Sequence, residues 1–277
     1  MPPGRRSSLM PDLDEQYDAA LDLLRRVNPR DVATNLTTLC QQNQELAEEL
    51  LSTVDQPLLV KTDSKVGKQF LCCDYNRDGD SYRSPHTDKF FPPVEDAIPL
   101  PADLRKLEVT ANDAFDTYRE LYYEGGLSSC YLWEHEDDSE SLAGVALFQK
   151  QQQQSTWNSV HVFEATKGGK GKFTYRLTST VMLDISTEKS KNALHTDLAG
   201  SLTRQVERDM TIEQPIDHIA NVGTLVEEME NKLRHLLNEV YFGKMRDILG
   251  DIRSSTDVND EKQRQTAQKD MMAGYLK

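Results

Sequence analysis

A chain of 277 residues with 32 Lys and Arg against 46 Asp and Glu carries a net charge of −14. It is long enough to bury a core in one or two domains, and its negative balance argues against non-specific nucleic-acid binding, which runs on cationic surface. No apolar run reaches 18 residues, so no transmembrane helix is expected, and Met1 to Ser8 lack the apolar core of a signal peptide.

Residues 1–12 read as a disordered extension. Leu13, Tyr17, Ala20, Leu21 and Leu24 then recur at helical spacing. Asn28 is a candidate N-cap, with Pro29 in the first turn of a second helix that reaches Cys40. A third helix is expected over 43–53, so residues 13–53 form a bundle of three short antiparallel helices.

Residues 55–100 contain five prolines and little periodicity. They are expected to be a long irregular segment with a short strand at Phe70 to Cys73. Such segments usually contact something. Inside it, Asp74, Asn76, Asp78 and Gly79 fit positions 1, 3, 5 and 6 of a calcium loop. Position 12, where calcium needs a bidentate carboxylate, is Pro85, and position 9 is Tyr82. Pro92 and Pro93 deny the helix that should follow. The alternative is a tight polar turn with Gly79 at positive φ, tied down by Asp74, Asp78 and Arg83. No metal or cofactor is expected.

Residues 101–124 are expected to be helical, with Leu104, Leu107, Ala111, Ala114, Phe115, Tyr118, Leu121 and Tyr122 as one stripe ended by Gly125 and Gly126. From 127 to 187 the period becomes two, and the candidate strands are 127–133, 142–149, 156–164 and 172–186. In the last, Phe173, Tyr175, Leu177, Val181, Leu183 and Ile185 share one face. Lys172, Thr174, Arg176, Thr178, Thr180 and Asp184 share the other, the pattern of a half-buried antiparallel strand.

Residues 216–253 read as one long helix with a stripe from Ile219 through Val222, Val226, Met229, Leu233, Leu236 and Val240 to Ile252. At about 55 Å it exceeds what one small domain covers, so part of it should lie on a partner. Glu227, Glu228 and Glu230 read as a solvated face. Lys232, Arg234, Lys244, Arg246 and Arg253 complement the acidity around them and the helix C-terminus. Residues 254–277 are a polar tail except for an apolar patch at Met271, Met272, Tyr275 and Leu276.

The six histidines are scattered, and neither a nucleophile elbow, a phosphate-binding loop nor a dinucleotide fingerprint is present. Four cysteines, Cys40, Cys72, Cys73 and Cys130, lack metal-ligand spacing and read as reduced thiols. Enzymatic chemistry is therefore not expected.

Several blocks carry a more specific signal. They are Asp74-Tyr75-Asn76-Arg77-Asp78-Gly79-Asp80-Ser81-Tyr82-Arg83-Ser84, Leu104-Arg105-Lys106-Leu107-Glu108, and Tyr122-Tyr123-Glu124-Gly125-Gly126. Further along come Tyr175-Arg176-Leu177-Thr178-Ser179-Thr180, Gly200-Ser201-Leu202-Thr203-Arg204-Gln205, His218-Ile219-Ala220-Asn221 and Asn238-Glu239-Val240-Tyr241-Phe242-Gly243. In this order they resemble the β subunit of F-actin capping protein over about residues 18–253.

The fold class expected is α+β: an N-terminal helical bundle, an antiparallel β-sheet, a long C-terminal helix over the sheet and a mobile amphipathic tail. Residues 13–253 would form one capping-protein β-type domain and 254–277 a C-terminal tentacle. The resemblance implies an obligate heterodimer with an α subunit, the two sheets joined into one, that blocks the barbed end of actin filaments without calcium. It also implies a cytoplasmic, cortical-actin location, with phosphoinositides and capping regulators as further partners. It places actin contacts at Arg234 and at Met271, Met272, Tyr275 and Leu276. In the same reading Asp74, Asn76, Asp78, Gly79, Asp80 and Arg83 form a structural signature loop. One rival keeps the fold and caps a filament of an actin-related protein, as in dynactin; another is a calcium-binding module.

Overall fold

Strand patterns over most of residues 127–211, clearest in the two-residue alternation of Lys172–Ser186, produce an antiparallel meander. The computed structural model describes residues 20, 31–47, 50, 57–95, 97–134, 141–152, 155–169, 171–186, 197–243, 246 and 266. Five strands, β6 (Leu127–Glu134), β7 (Leu142–Gln151), β8 (Ser155–Lys167), β9 (Lys172–Ser186) and β10 (Asp197–Thr211), lie in the order β10-β9-β8-β7-β6. Four of them occupy the expected places. The fifth, β10, lies beyond 187, where the sequence reading ended the sheet, and pairs with β9 from Asp197↔Ser186 to Thr211↔Lys172. Its alternation is blurred because Arg204 and Arg208 interrupt Leu202, Val206 and Met210 on one face.

Before the sheet come α1 (Val32–Gln42) and a 3-10 turn at Gln44–Leu46, with Leu36, Leu46 and Leu50 buried together against Ala20, Leu39 and Cys40. The rest of the expected three-helix bundle lies outside the described residues. Residues 57–91 are more regular than their prolines suggested. They form a hairpin, β1 (Leu59–Asp63) with β2 (Lys68–Cys72), and a small sheet of β3 (Arg77–Asp78), β4 (Ser81–Arg83) and β5 (Phe90–Phe91).

Two faces of the large sheet are covered differently. Phe148 of β7 stacks on Tyr123 and meets Phe115 edge-on, which places α2 (Ala102–Tyr123) over β6 and β7. On the same face, α3 (Asp217–Asn238) begins over β9, where His218 meets Phe173 and Tyr175. Behind, the β1–β2 hairpin packs Leu58 and Leu71 onto Tyr131, Val145 and Leu147. With both faces covered, β7 is buried from Leu142 to Gln149, as a continuous apolar run in a strand implies. Gly144 allows the layers to close: an added Cβ would stand 2.5 Å from Phe163 Cζ and 2.8 Å from the Tyr131 carbonyl oxygen.

Contacts divide the chain into residues 1–230 and 231–277. In the first unit, α3 buries His218, Val222, Leu225, Val226, Met229 and Glu230, positions that recur at helical spacing. In the second it buries Leu233 and Leu237. Within the expected long helix, α geometry runs to Asn238 and a π turn occupies Glu239–Gly243, while the expected continuation to 253 lies almost wholly outside the described residues. The stripe on α2 also differs, since Leu121 is 72% exposed while Glu108 and Tyr123 are buried. That helix stops at Glu124, which itself takes a left-handed φ of 47° ahead of Gly125.

Candidate functional site

The signature loop is a structural hub. A 3-10 turn at Asp74–Asn76 points Asn76 inward, where its Oδ1 accepts from the Cys73 amide (2.9 Å) and its Nδ2 donates to the Arg83 carbonyl (2.8 Å). Gly79 turns the chain at φ +56°. Asp74, Asp78 and Asp80 are exposed. Asp74 makes only a 3.7 Å ion pair with Arg77, so neither it nor Asp78 ties the loop down as anticipated. The expected Arg83 does so, together with Asn76. With the amide of Asn76 consumed internally, the calcium-loop geometry is not formed. Among the described residues no group of three His, Cys, Asp or Glu could hold a metal.

Arg83 crosses to α2. Its Nη1 and Nη2 donate to the two Glu108 oxygens at 2.9 and 2.7 Å, and Nη1 also reaches Asp88 at 2.7 Å. Arg105 also pairs with Glu108 and donates to the Pro85 carbonyl at 2.7 Å. Desolvation opposes the charge on Arg83, and Glu108 and Asp88 outweigh it, raising its pKa. Nearby Asp63 is fully buried. Burial would raise its carboxyl, but bonds from Ser84, Thr87 and the Lys65 amide hold it below the ordinary value. Burial pushes the thiols of Cys72 and Cys73 up to about 11 and about 12, so both stay protonated and unreactive at neutral pH.

A second polar cluster lies inside the sheet–helix layer. His161 on β8 contacts Ser179 Oγ through Nδ1 and Glu230 Oε1 through Nε2, both at 2.8 Å. Glu230 is therefore not on a solvated face; it is 1% exposed. Burial opposes its ionisation, and His161, with Ser159 and Tyr123 beside it, more than compensates, lowering its pKa. Its other oxygen, Oε2, makes no hydrogen bond. The order Ser–His–Glu is that of a hydrolytic triad, but Ser179 and His161 are fully enclosed, with no route for a substrate.

The surfaces differ in kind. Behind β8–β10, Arg176 pairs with Glu164 (3.8 Å) and Glu207 (3.4 Å), and Thr180 bonds Thr203 at 2.9 Å. Toward β10 this face is polar, while Val160 and Val162 of β8 pack behind the sheet against the Leu58 and Leu71 cluster. At the sheet's side, β10 has no further strand among the described residues, and its Leu202, Val206 and Met210 are half-buried. Arg234 is exposed on α3. Met271, Met272, Tyr275 and Leu276 lie outside the described residues.

A meander with two helices on one face is the fold of a solved structure titled "Structure of homodimeric actin capping protein alpha subunit" from Plasmodium berghei. The match has a TM-score of 0.50 at 17% identity, covering 89% of this chain and 99% of that one. Residues 17–249 match the family described as F-actin capping protein, beta subunit. The F-actin-capping protein subunit beta of Yarrowia lipolytica is 54% identical over 254 residues, 91% of this chain and 95% of that one. That of Candida glabrata is 50% identical over 273 residues, 95% and 98% of the two chains. The chain belongs to the F-actin capping protein beta-subunit family.

Proposed function

We propose that this chain is the β-type half of a heterodimer that caps the barbed end of actin filaments, blocking subunit addition and loss without catalysis. Family membership over residues 17–249 carries this reading. The half-covered edge at β10 supports an α-type partner that continues the sheet. Residues 13–253 serve as one capping-protein β-type domain and 254–277 as a tentacle, in a protein of the cytoplasmic, cortical actin cytoskeleton. Arg234 steers encounter with the filament end, and Met271, Met272, Tyr275 and Leu276 form an apolar anchor that orders on docking. Two attachments on one body gain from effective concentration and dissociate slowly. Phosphoinositides and capping regulators act on the same dimer.

The test is elongation of pyrene-labelled actin from capped seeds, using the dimer co-expressed with an α subunit. Deleting residues 267–277 should raise the dissociation rate with encounter intact. Arg234→Glu should slow association and reduce its salt sensitivity. If the truncated dimer caps as tightly as the full one, the tentacle plays no part.

A further inference from the structure

The β6 edge of the large sheet is finished by a helix. On β6, the outward peptide groups of Cys130 are both taken by one side chain of α2. Asn112 Oδ1 accepts from the Cys130 amide and Nδ2 donates to the Cys130 carbonyl, each at 2.8 Å. This reciprocal pair is what a neighbouring antiparallel strand would supply. Two residues along, the Leu132 amide donates to Glu108 Oε2 at 2.8 Å. Helix and strand run antiparallel, and the spacings agree: four helix residues rise about 6 Å and two strand residues about 6.8 Å. Asn112 is further fixed by donating to the Glu108 carbonyl at 2.8 Å, and Glu108 by its bonds to Arg83. On the other side β10 ends the sheet, with no further strand among the described residues, and α3 meets it at Arg208 through Glu228 and at the Thr211 carbonyl through Asn221 (3.2 Å).

We infer that α2 acts as a surrogate strand along β6, with Asn112 and Glu108 as its blocking residues, so that sheet extension is directed to β10. An open strand edge pairs with whatever strand it meets. A chain that must offer one edge to a partner gains specificity by closing the other. The inference rests on the proposed pairing through β10 for its purpose, but the sealing of β6 is testable alone.

The experiment uses the co-expressed heterodimer carrying Asn112→Ala. Asn112→Ser, which is too short to span both peptide groups, replaces it if the first does not purify. Hydrogen exchange at the Cys130 amide should speed up about tenfold. Sedimentation velocity should show a four-chain species that grows with concentration and is absent from wild type. A variant that melts lower but stays a two-chain particle overturns the inference, because Asn112 is then only a tie between helix and sheet. Unchanged exchange overturns it too. Filament capping, measured in parallel on wild type, reports on the functional reading separately.

Discussion

Glu108 is fully buried between two arginines, and its value lies in being completely paired. Removing a charge from such a group leaves its partners stranded in low dielectric. Glu108→Gln should cost about 3–5 kcal/mol of dimer stability, read by urea denaturation, whereas exposed Lys106→Ala should stay within about 0.5 kcal/mol. Glu230 behaves as a pH-dependent counterpart. Its folded pKa is depressed, so its contribution is present above the ordinary carboxyl pKa and lost as pH falls through the folded value. His218, held down by burial, acts in the same direction: stability falls as pH drops below the ordinary imidazole pKa. The acid limb of a melting-temperature profile should therefore be shallower in Glu230→Gln than in wild type, and parallel curves would show that the His161 bond does not set it. Neither glutamate was legible as a core residue. Charge normally marks solvent, and only distant partners, Arg83 and His161, reverse that rule.

At the scale of elements, periodicity was readable where one face is apolar and the other polar. β9 and α2 were found to within one residue of their ends for that reason. β10 escaped because an edge strand half-buries its apolar positions and carries arginines among them. The π turn at Glu239–Gly243 has no signature in a hydrophobic stripe. In the signature loop the sequence suggested ties from Asp74, Asp78 and Arg83, yet the inward Asn76 and the distant Glu108 join Arg83 in holding the loop; contacts 25 residues apart, such as Arg83 with Glu108, cannot be read from spacing. Two glycines separate backbone need from packing need. Gly79 has open space where a Cβ would go but a positive φ, so Gly79→Val should cost about 1–3 kcal/mol from backbone strain alone. Millimolar calcium should leave the melting temperature unchanged, and a clear rise would revive the metal reading. Gly144→Ala should cost about 1–3 kcal/mol through overpacking, because Phe163 and Leu132 stand within 2.6 Å of the new Cβ. Thermal unfolding of the two variants checks both.

For the whole molecule, the β10 edge, with no further strand among the described residues, predicts dependence on a partner. Expressed alone, the chain should aggregate; with an α subunit it should form a soluble 1:1 dimer. A monodisperse monomer that melts cooperatively by light scattering and calorimetry would reject this. Family and general architecture were legible because blocks such as Leu104 to Glu108 and His218 to Asn221 persist in order along the chain. Which edge is available was not, since that depends on Asn112 reaching a strand 18 residues away.

The polar back of the sheet at β9 and β10 has its own consequence. Because Arg176, Glu164, Glu207 and the threonines already satisfy that surface, the sheet can widen without acquiring a second layer there. A partner strand added at β10 would meet a polar surface on that side and would need its own helices only on the other. The resulting body has a top and a bottom, and such handedness toward its surroundings is what an object needs if it is to sit on a polar filament one way up.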